Sequence, residues 1–240
     1  MKKILKKILP APVANKLSIF MQNNFRSSFS ACGEDAILKY LFRNRISGFY
    51  VDVGAFDPYE VSNTYWFYLQ GWTGINIDAN ERSIVKFNKL RPKDTNICAA
   101  ISDIEEVLNY YEVSGSKSMN SFSKDFIQSQ NVTRIESSKS IKTRSLSSVL
   151  DENLKNSQRI NFLSIDVEGV ELKVLKSNDW SKYRPDIVLL ESFEKMTNEA
   201  FDAEIIQYLK AKEYSLISKT PNGVFFKDNK QILNSENSLI

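Results

Sequence analysis

Acidic residues stand at or beside the ends of four predicted strands in this sequence: Asp52, Asp78, Asp166 and Glu191. In a mostly parallel α/β sheet, right-handed crossovers bring the carboxyl ends of the strands to one edge, and ligands bind there. Any single acid could instead cap a helix, but four together favour a shared site. Asp78 follows the first strand at about the 20-residue spacing typical of an acid that binds ribose hydroxyls. The pattern predicts a nucleoside ligand.

The turn after the first predicted strand is poor in glycine. It holds Gly54 alone, and Pro58 stands at the predicted start of the next helix. Few backbone N–H groups are therefore free to face a phosphate. A pyrophosphate is disfavoured, whereas an adenosine ligand without phosphate fits both observations. S-adenosylmethionine is the common ligand of that kind.

The composition narrows both the class of protein and its chemistry. The chain has 240 residues, 42% of them hydrophobic and 25% charged, which suits one soluble globular domain. The net charge of +3 is small and the lysines are dispersed, so we expect no nucleic-acid partner. Because the chain contains no histidine, acid–base chemistry must fall to carboxylates, lysine or tyrosine.

The two cysteines do not indicate a disulfide framework. Cys98 lies in the apolar stretch 97–101, which predicts a buried strand, and Cys32 is the other cysteine. A reducing cytoplasm is the simpler compartment for such a chain.

Residues 1–28 predict a basic helical appendage to a main domain over 29–240. Ile4, Leu5, Ile8 and Leu9 share one helical face, opposite lysines. Lys6 and Lys7 interrupt the apolar run that a signal peptide needs. A helix docked on the domain or a partner, peripheral contact with an acidic membrane surface, and disorder all remain open. No window approaches the ~20 apolar residues of a membrane span.

The apolar periodicity predicts helices alternating with strands, and a hairpin at the end. The predicted strands are 49–53, 73–78, 95–101, 160–166 and 186–191, with an additional strand over 107–113 beside the third and a hairpin of 214–219 and 224–227. The predicted helices are 36–42, about 64–70, 81–90 with Asn80 as its cap, 145–150, 170–176 and 198–212. A serine-rich loop over 114–140 could act as a lid. This order predicts a three-layer sandwich around a mostly parallel sheet.

Several motifs resemble the FkbM-family methyltransferases in order and spacing. They are Gly33-Glu34-Asp35, the run from Gly48 to Pro58, Ser62-Asn63-Thr64-Tyr65, the run from Gly71 to Asp78, Arg91-Pro92 and the run from Phe162 to Glu171. The resemblance covers about residues 28–195. It implies the class I S-adenosylmethionine-dependent fold, a Rossmann-like seven-stranded sheet whose last strand is antiparallel.

The resemblance also implies roles for particular residues. The implied cofactor-binding residues are Asp52, Gly54, Ala55, Asn63, Thr64, Asp78, Ala100, Ser102 and Asp166. Asp78 is similar to the ribose ligand of such enzymes, and the stretch that holds Ala100 and Ser102 is similar to the adenine contact. Many members methylate hydroxyls of glycans or other natural products, so we expect a small-molecule or glycan acceptor.

A hydroxyl acceptor must lose a proton during methylation. Asp166 is the first candidate for the base or acceptor-positioning group, followed by Glu168 and then Glu191. An ordinary carboxylate is a weak base for a sugar hydroxyl unless burial raises its pKa. Alternatively, Asp166, Glu191 and the Ser192 oxygen could hold Mg²⁺, which prefers oxygen ligands.

Other interpretations stay open at this point. Glu171 lies in the first turn of a predicted helix, where the helix dipole favours a carboxylate, so we expect a structural role for it. For Glu168, a functional role and a structural role are equally supported. The rival functions are a nicotinamide-dependent oxidoreductase and an inactive nucleoside-binding or assembly module. The sequence leaves the acceptor and the oligomeric state open.

Overall fold

The computed structural model describes residues 10, 13, 28–113, 120–122, 127–128, 135–155, 158–191 and 199–230. The described strands are β1 (Phe49–Val53), β2 (Thr73–Asp78), β3 (Thr95–Cys98), β4 (Ala100–Ile101), β5 (Val107–Val113), β6 (Ile135–Arg144), β7 (Phe162–Ile165), β8 (Ile187–Glu191), β9 (Tyr214–Lys219) and β10 (Gly223–Asp228). The described helices are α1 (Glu34–Leu41), α2 (Tyr65–Leu69), α3 (Glu81–Leu90), α4 (Leu146–Asn153), α5 (Glu171–Lys176) and α6 (Glu199–Ala211).

Seven strands form the main sheet in the order β3-β2-β1-β7-β8-β10-β9. The pairs from β3 to β8 are all parallel, and β10 runs antiparallel to both β8 and β9. At the centre, Val51 pairs with Ile75 on one side and Leu163 on the other. The order and directions are those of the class I methyltransferase fold, which confirms the fold predicted from the sequence.

Apolar layers cover both faces of this sheet because successive strand side chains point to opposite sides. Val51 faces one layer, which also holds Leu150 of α4 and Leu209 of α6. Tyr50 faces the other layer, which includes Phe67 of α2. The strands are buried on both faces, as expected for parallel strands that are sandwiched between helices. The three-layer arrangement is therefore confirmed.

Local sequence signals fix several helix ends. The Asn80 side chain accepts a hydrogen bond from the Arg82 N–H, so it caps α3 as predicted. Ser145 caps α4 in the same way, through the Ser148 N–H. These caps satisfy backbone donors that a helix start leaves unpaired.

The region after the third strand differs from the prediction. Strand β3 ends at Cys98, and Cys98 is exposed rather than buried. Residues 100–101 pair instead with β6, and β5 also pairs with β6 rather than with β3. These three strands form a second sheet, in the order β4-β6-β5. The additional strand was thus correctly located in the sequence but wrongly placed beside β3.

The predicted loop over 114–140 is also wrong at its end, because residues from Ile135 onward belong to β6. The β6 sequence is rich in serine and lysine, and its residues are exposed through Ser140. Its pairing with β5 provides backbone hydrogen bonds without burial of one face. An alternation of apolar and polar residues is therefore absent, and periodicity could not reveal the strand.

The predicted appendage over 1–28 lies almost wholly outside the described residues, as does most of 114–134. Within the described part of the chain, helices long and apolar enough to cross a bilayer are absent.

Candidate active site

A cavity of about 330 Å³ opens at the carboxyl ends of β1, β2, β7 and β8. We call it the rim cavity. Asp52, Asp78, Asp166 and Glu191 all line it. The parallel sheet thus brings together the four acids that the sequence places at strand ends. A smaller adjoining cleft of about 40 Å³ shares the last two of these acids with the rim cavity.

The turn after β1 uses its backbone N–H groups within the protein. The N–H groups of Gly54 and Ala55 both donate to the Ile77 carbonyl, at 2.8 and 3.1 Å. The Phe56 N–H donates to Asp78 Oδ2 at 2.7 Å. These bonds leave no N–H of residues 54–56 for an anion. The turn therefore does not form a phosphate cradle of the kind found at dinucleotide-binding turns.

Gly54 allows two loops of the site to approach closely. Its φ is +80°, and a Cβ built on it would lie 1.7 Å from the Asp166 carbonyl oxygen. Only glycine can occupy this position without moving the turn after β1 away from the turn after β7. The contact therefore sets the spacing between Asp52 and Asp166.

Asp78 is held in one orientation at the end of β2. Its Oδ1 accepts the Asn80 N–H at 2.7 Å, while its Oδ2 accepts the Phe56 N–H. Burial raises the pKa of this carboxyl to about 6, and these backbone donors oppose that rise. Each carboxylate oxygen has two lone pairs, so Asp78 can still accept hydrogen bonds from a ligand hydroxyl.

Asp52 rests on a buried polar network. Thr64 Oγ1 donates to Asp52 Oδ2 at 2.8 Å, and the Arg91 guanidinium donates to Thr64 Oγ1 at 2.8 Å and to Ser62 Oγ at 2.8 Å. Burial raises the pKa of Asp52 to about 6, while the Thr64 hydrogen bond and the Arg91 charge lower it. Thr64 is fully buried and does not line the rim cavity. Its place in the structure is behind Asp52.

The end of the cavity near Asp78 contains residues that the sequence analysis did not single out. Tyr110 of β5 and Phe122 line it, with their ring centroids 4.9 Å apart. Ala100, which was predicted, lines the same cavity, but Ser102 does not. Ser102 is buried, and its N–H donates to the Arg144 carbonyl in the second sheet. We call this region, with its two rings, the nucleoside end.

These two aromatic residues carried little sequence signal. Phe122 lies in the serine-rich stretch, and Tyr110 lies in a strand that reaches the cavity only because β5 pairs with β6. Segment 120–122 is held by a bridge between Ser121 and Tyr111.

Three other predicted residues also line the rim cavity. They are Gly54, Ala55 and Asn63. The Asn63 amide donates from Nδ2 to Ser164 Oγ at 3.2 Å, which fixes it against β7.

Three carboxylates meet in the rim cavity at and after the ends of β7 and β8. Asp166, Glu168 and Glu191 each offer an oxygen within 4.8 Å of the others. We call them the transfer cluster. Burial raises the pKa values of Asp166 and Glu191. Carboxyl groups this close to each other titrate as a unit.

Glu168 occupies an unusual backbone conformation. Its φ is +58°, in the left-handed region that residues other than glycine rarely adopt. The Ser121 hydroxyl donates to the Glu168 carbonyl at 2.8 Å and helps to hold it there. Burial raises the pKa of Glu168 to about 9, with further rises from the charges of Asp166 and Glu171. Strain of this kind concentrates at functional sites.

Glu171 lies behind the transfer cluster and has a structural role. Its Oε1 accepts the N–H groups of Gly169 and Val167, at 3.0 and 3.3 Å. Glu171 is fully buried, and burial raises its pKa to about 7. It therefore fixes the turn that presents Asp166 and Glu168 to the cavity.

The transfer cluster has the ligand types and spacing that could hold a divalent cation. Of the three ligands predicted for Mg²⁺, Asp166 and Glu191 belong to it, whereas Ser192 lies outside the described residues. In the structure, the third carboxylate of the transfer cluster is that of Glu168.

Comparison with known proteins identifies the family of the chain. No curated protein matches the sequence significantly. One solved structure with a similar fold is that of a protein described as an rRNA-methylase from Clostridium thermocellum, with 9% identity and a TM-score of 0.44 over 80% of this chain and 93% of that one. Residues 52–216 match the methyltransferase FkbM domain, a span that includes every strand from β2 to β8. This match covers more than half of the chain, which therefore belongs to the FkbM methyltransferase family.

Proposed function

We propose that this methyltransferase uses S-adenosylmethionine to methylate a hydroxyl group of a glycan, such as a surface polysaccharide, or of a related natural product. One observation carries the proposal. The Asp78 carboxylate lines the rim cavity, where it can accept further hydrogen bonds, while every N–H of residues 54–56 is already bonded within the protein. This arrangement suits a nucleoside without phosphate and is poor for a nicotinamide dinucleotide.

The described residues fit such a cofactor at both ends. Asp78, Tyr110 and Phe122 would hold its nucleoside, and Asn63 and Asp52 lie toward the transfer cluster. S-adenosylmethionine supplies an activated methyl group on a positively charged sulfur. In the reaction an acceptor O–CH₃ bond forms as the S–CH₃ bond breaks, and the hydroxyl proton must leave. Alignment and exclusion of water would supply most of the rate.

The transfer cluster supplies the proton acceptor. Burial raises the pKa of Asp166, and a carboxylate with a raised pKa is a stronger base. Asp166 follows β7 directly, and one of its oxygens lies within 4.8 Å of an oxygen of Glu191, so Asp166 can accept the hydroxyl proton while Glu191, whose pKa burial raises, keeps its own. Asp166 is the proposed base or acceptor-positioning group, with Glu168 and Glu191 supporting it.

A divalent cation is the alternative way to activate the hydroxyl. Bound by Asp166, Glu168 and Glu191, it would lower the pKa of the hydroxyl as a Lewis acid. The spacing of the three carboxylates favours this candidate. Turnover by metal-free protein in the presence of a chelator would eliminate it, and turnover restored only by Mg²⁺ would establish it.

The decisive experiment measures cofactor binding and methyl transfer separately. Isothermal titration calorimetry should show binding of S-adenosylmethionine and none of NAD. Asp78→Ala should weaken this binding about 100-fold, because a hydrogen bond to a charged group contributes about 1.5–3 kcal/mol. Asp166→Asn should instead lower kcat more than affinity. Binding of NAD alone would refute the proposal and favour an oxidoreductase.

Transfer of a labelled methyl group identifies the acceptor. Mass spectrometry of surface polysaccharide from cells with and without this chain should show the mass of one methyl group gained. If S-adenosylmethionine binds and no hydroxyl compound is ever methylated, the chain is an inactive binding module.

The proposal includes a catalytic domain over 29–240 and a cytoplasmic location. Both cysteines are free and exposed in the described structure, which suits a reducing compartment. We also propose that the acceptor is a small molecule or glycan rather than nucleic acid, and that the basic N-terminus can contact an acidic membrane surface.

A further inference from the structure

Segment 120–122 is tied to β5 of the second sheet by backbone and side-chain hydrogen bonds. The Ser121 carbonyl accepts the Tyr111 N–H at 2.9 Å, and the Ser121 N–H donates to the Tyr111 carbonyl at 3.2 Å. Asn120 Oδ1 accepts the Val113 N–H at 3.0 Å. Three hydrogen bonds over so short a stretch fix the position of the segment relative to β5.

The two neighbours of Ser121 in the sequence line the rim cavity. They are Asn120 and Phe122, and the Phe122 ring lies 4.9 Å from the ring of Tyr110. A nucleoside that stacks on these rings would therefore contact the segment directly. Ser121 itself is only 1% exposed and is not among the described residues that line the cavity. It can act on a ligand only through other residues.

The Ser121 hydroxyl connects this segment to the turn after β7. It donates to the Glu168 carbonyl at 2.8 Å. Glu168 has a φ of +58°, a conformation that persists only where the surrounding structure enforces it. Glu171 supports this turn from behind, because its Oε1 accepts the N–H groups of Val167 and Gly169. The Ser121 hydroxyl supports the turn from the second sheet.

We infer that Ser121 is a positioning residue that couples occupancy of the nucleoside end to the geometry of the transfer cluster. A nucleoside packed against the Phe122 ring holds the neighbouring Ser121 in place, and the Ser121 hydroxyl holds the turn at Glu168. This inference rests on the proposed function and deepens it, since the donor then orders the site of methyl transfer. Because coupling between two sites is reciprocal, an ordered turn at Glu168 also favours binding at the nucleoside end.

The expected size of this coupling is that of one hydrogen bond. Loss of a bond between a hydroxyl and a carbonyl changes a local equilibrium about threefold to tenfold. The effect is small enough for Ser121→Ala to keep the overall fold. It is large enough to appear in hydrogen exchange, because local openings of a turn are sampled separately from global unfolding.

Hydrogen–deuterium exchange of the full chain tests the coupling without any acceptor. Mass spectrometry of peptides that cover residues 165–172 reports the opening of the turn. Exchange is compared without ligand, with adenosine and with S-adenosylmethionine, each at a concentration that calorimetry shows to be saturating. We expect both ligands to slow exchange of the turn about threefold or more. Adenosine is the sharper probe because it carries neither the methyl group nor the amino-acid portion of the cofactor.

Matched variants link the effect to the Ser121 hydroxyl. Ser121→Ala should reduce the slowing by adenosine to less than about 1.5-fold, and Ser121→Thr, which keeps a hydroxyl, should restore it. Ser121→Cys, whose thiol is a weak donor, replaces the alanine variant if that variant does not fold. Ser140→Ala removes a hydroxyl that donates to Asn109 at an exposed place in the second sheet, and it should leave the slowing unchanged.

Each other outcome has a definite meaning. If Ser121→Ala raises exchange throughout the protein but keeps the slowing by adenosine at the turn, Ser121 only stabilises the fold and the inference is wrong. The inference is also wrong if S-adenosylmethionine binds to the unchanged protein while adenosine does not bind or does not slow exchange of the turn. These outcomes leave the proposed cofactor intact. Failure of S-adenosylmethionine to bind overturns the proposed function itself.

Discussion

Replacement of Glu171 by glutamine should stabilise the protein at high pH and have little effect at low pH. Glu171 is fully buried behind the transfer cluster, and its Oε2 has no partner among the described residues. Burial raises its pKa to about 7 from an ordinary 4.5. The folded protein therefore holds this proton more tightly than the unfolded chain does. The stability that results is complete below pH 4.5 and is lost as the pH rises toward 7.

The size of the effect follows from the shift in pKa. One unit of pKa corresponds to about 1.4 kcal/mol, so ionising Glu171 in the folded state costs about 3 kcal/mol at pH 8. At about pH 5 the cost is below about 1 kcal/mol by the same relation. Glutamine has the same shape, can still accept the N–H bonds of Val167 and Gly169, and does not ionise. The gain from Glu171→Gln should therefore grow by roughly 2 to 3 kcal/mol between these two pH values.

Urea denaturation followed by circular dichroism measures this gain at each pH. Glu136→Gln, on the exposed part of β6, controls for the loss of one negative charge. A gain that is equal at both pH values, or a loss of stability at pH 8, would show that the pKa of Glu171 is not raised in the folded protein.

Three further variants test other parts of the site. Gly54→Ala should abolish cofactor binding in calorimetry, because its Cβ would collide with the Asp166 carbonyl. Gly71→Ala is the control: Gly71 has a similar φ of +86° and open space around it, so the change should cost only about 1–2 kcal/mol in thermal unfolding. If both variants bind the cofactor equally well, the close approach at Gly54 is contradicted. Phe122→Ala should weaken binding of S-adenosylmethionine about tenfold through the loss of an aromatic surface at the nucleoside end, and unchanged affinity would remove Phe122 from the site. Thr64→Val should lower the free energy of unfolding by about 2 kcal/mol in urea, since it leaves Asp52 and Arg91 without their shared hydroxyl; a neutral result would contradict that network.

Much of the fold could be predicted because it depends on local patterns. Strands β1 and β2 and helix α3 have the bounds that the periodicity predicts, and Asn80 caps α3 as expected. Continuous apolar runs are required of parallel strands that are covered on both faces, so they are visible in the sequence. The handedness of the crossovers then brings these strand ends, and the acids beside them, to one edge of the sheet.

The second sheet could not be predicted in the same way. Strand β6 has no buried face through Ser140, so its position depends on backbone pairing with β5, a partner more than 20 residues away. This pairing decides which side chains reach the nucleoside end. The sequence analysis did not single out Tyr110 and Phe122 for that reason. Ser102, which it predicted from the neighbouring stretch, does not line the cavity.

By itself the sequence determined the order of the elements, the absence of histidine chemistry and the glycine-poor turn, because composition and local periodicity are properties of the chain alone. The tertiary structure decided which acids lie close to one another. It placed Asp166, Glu168 and Glu191 within 4.8 Å of one another and set Glu171 behind them as a support. It also buried Arg91 beneath Asp52 rather than in the cavity. Distances and burial arise from packing between segments that are far apart in the chain, and the pKa values of buried carboxyls depend on both.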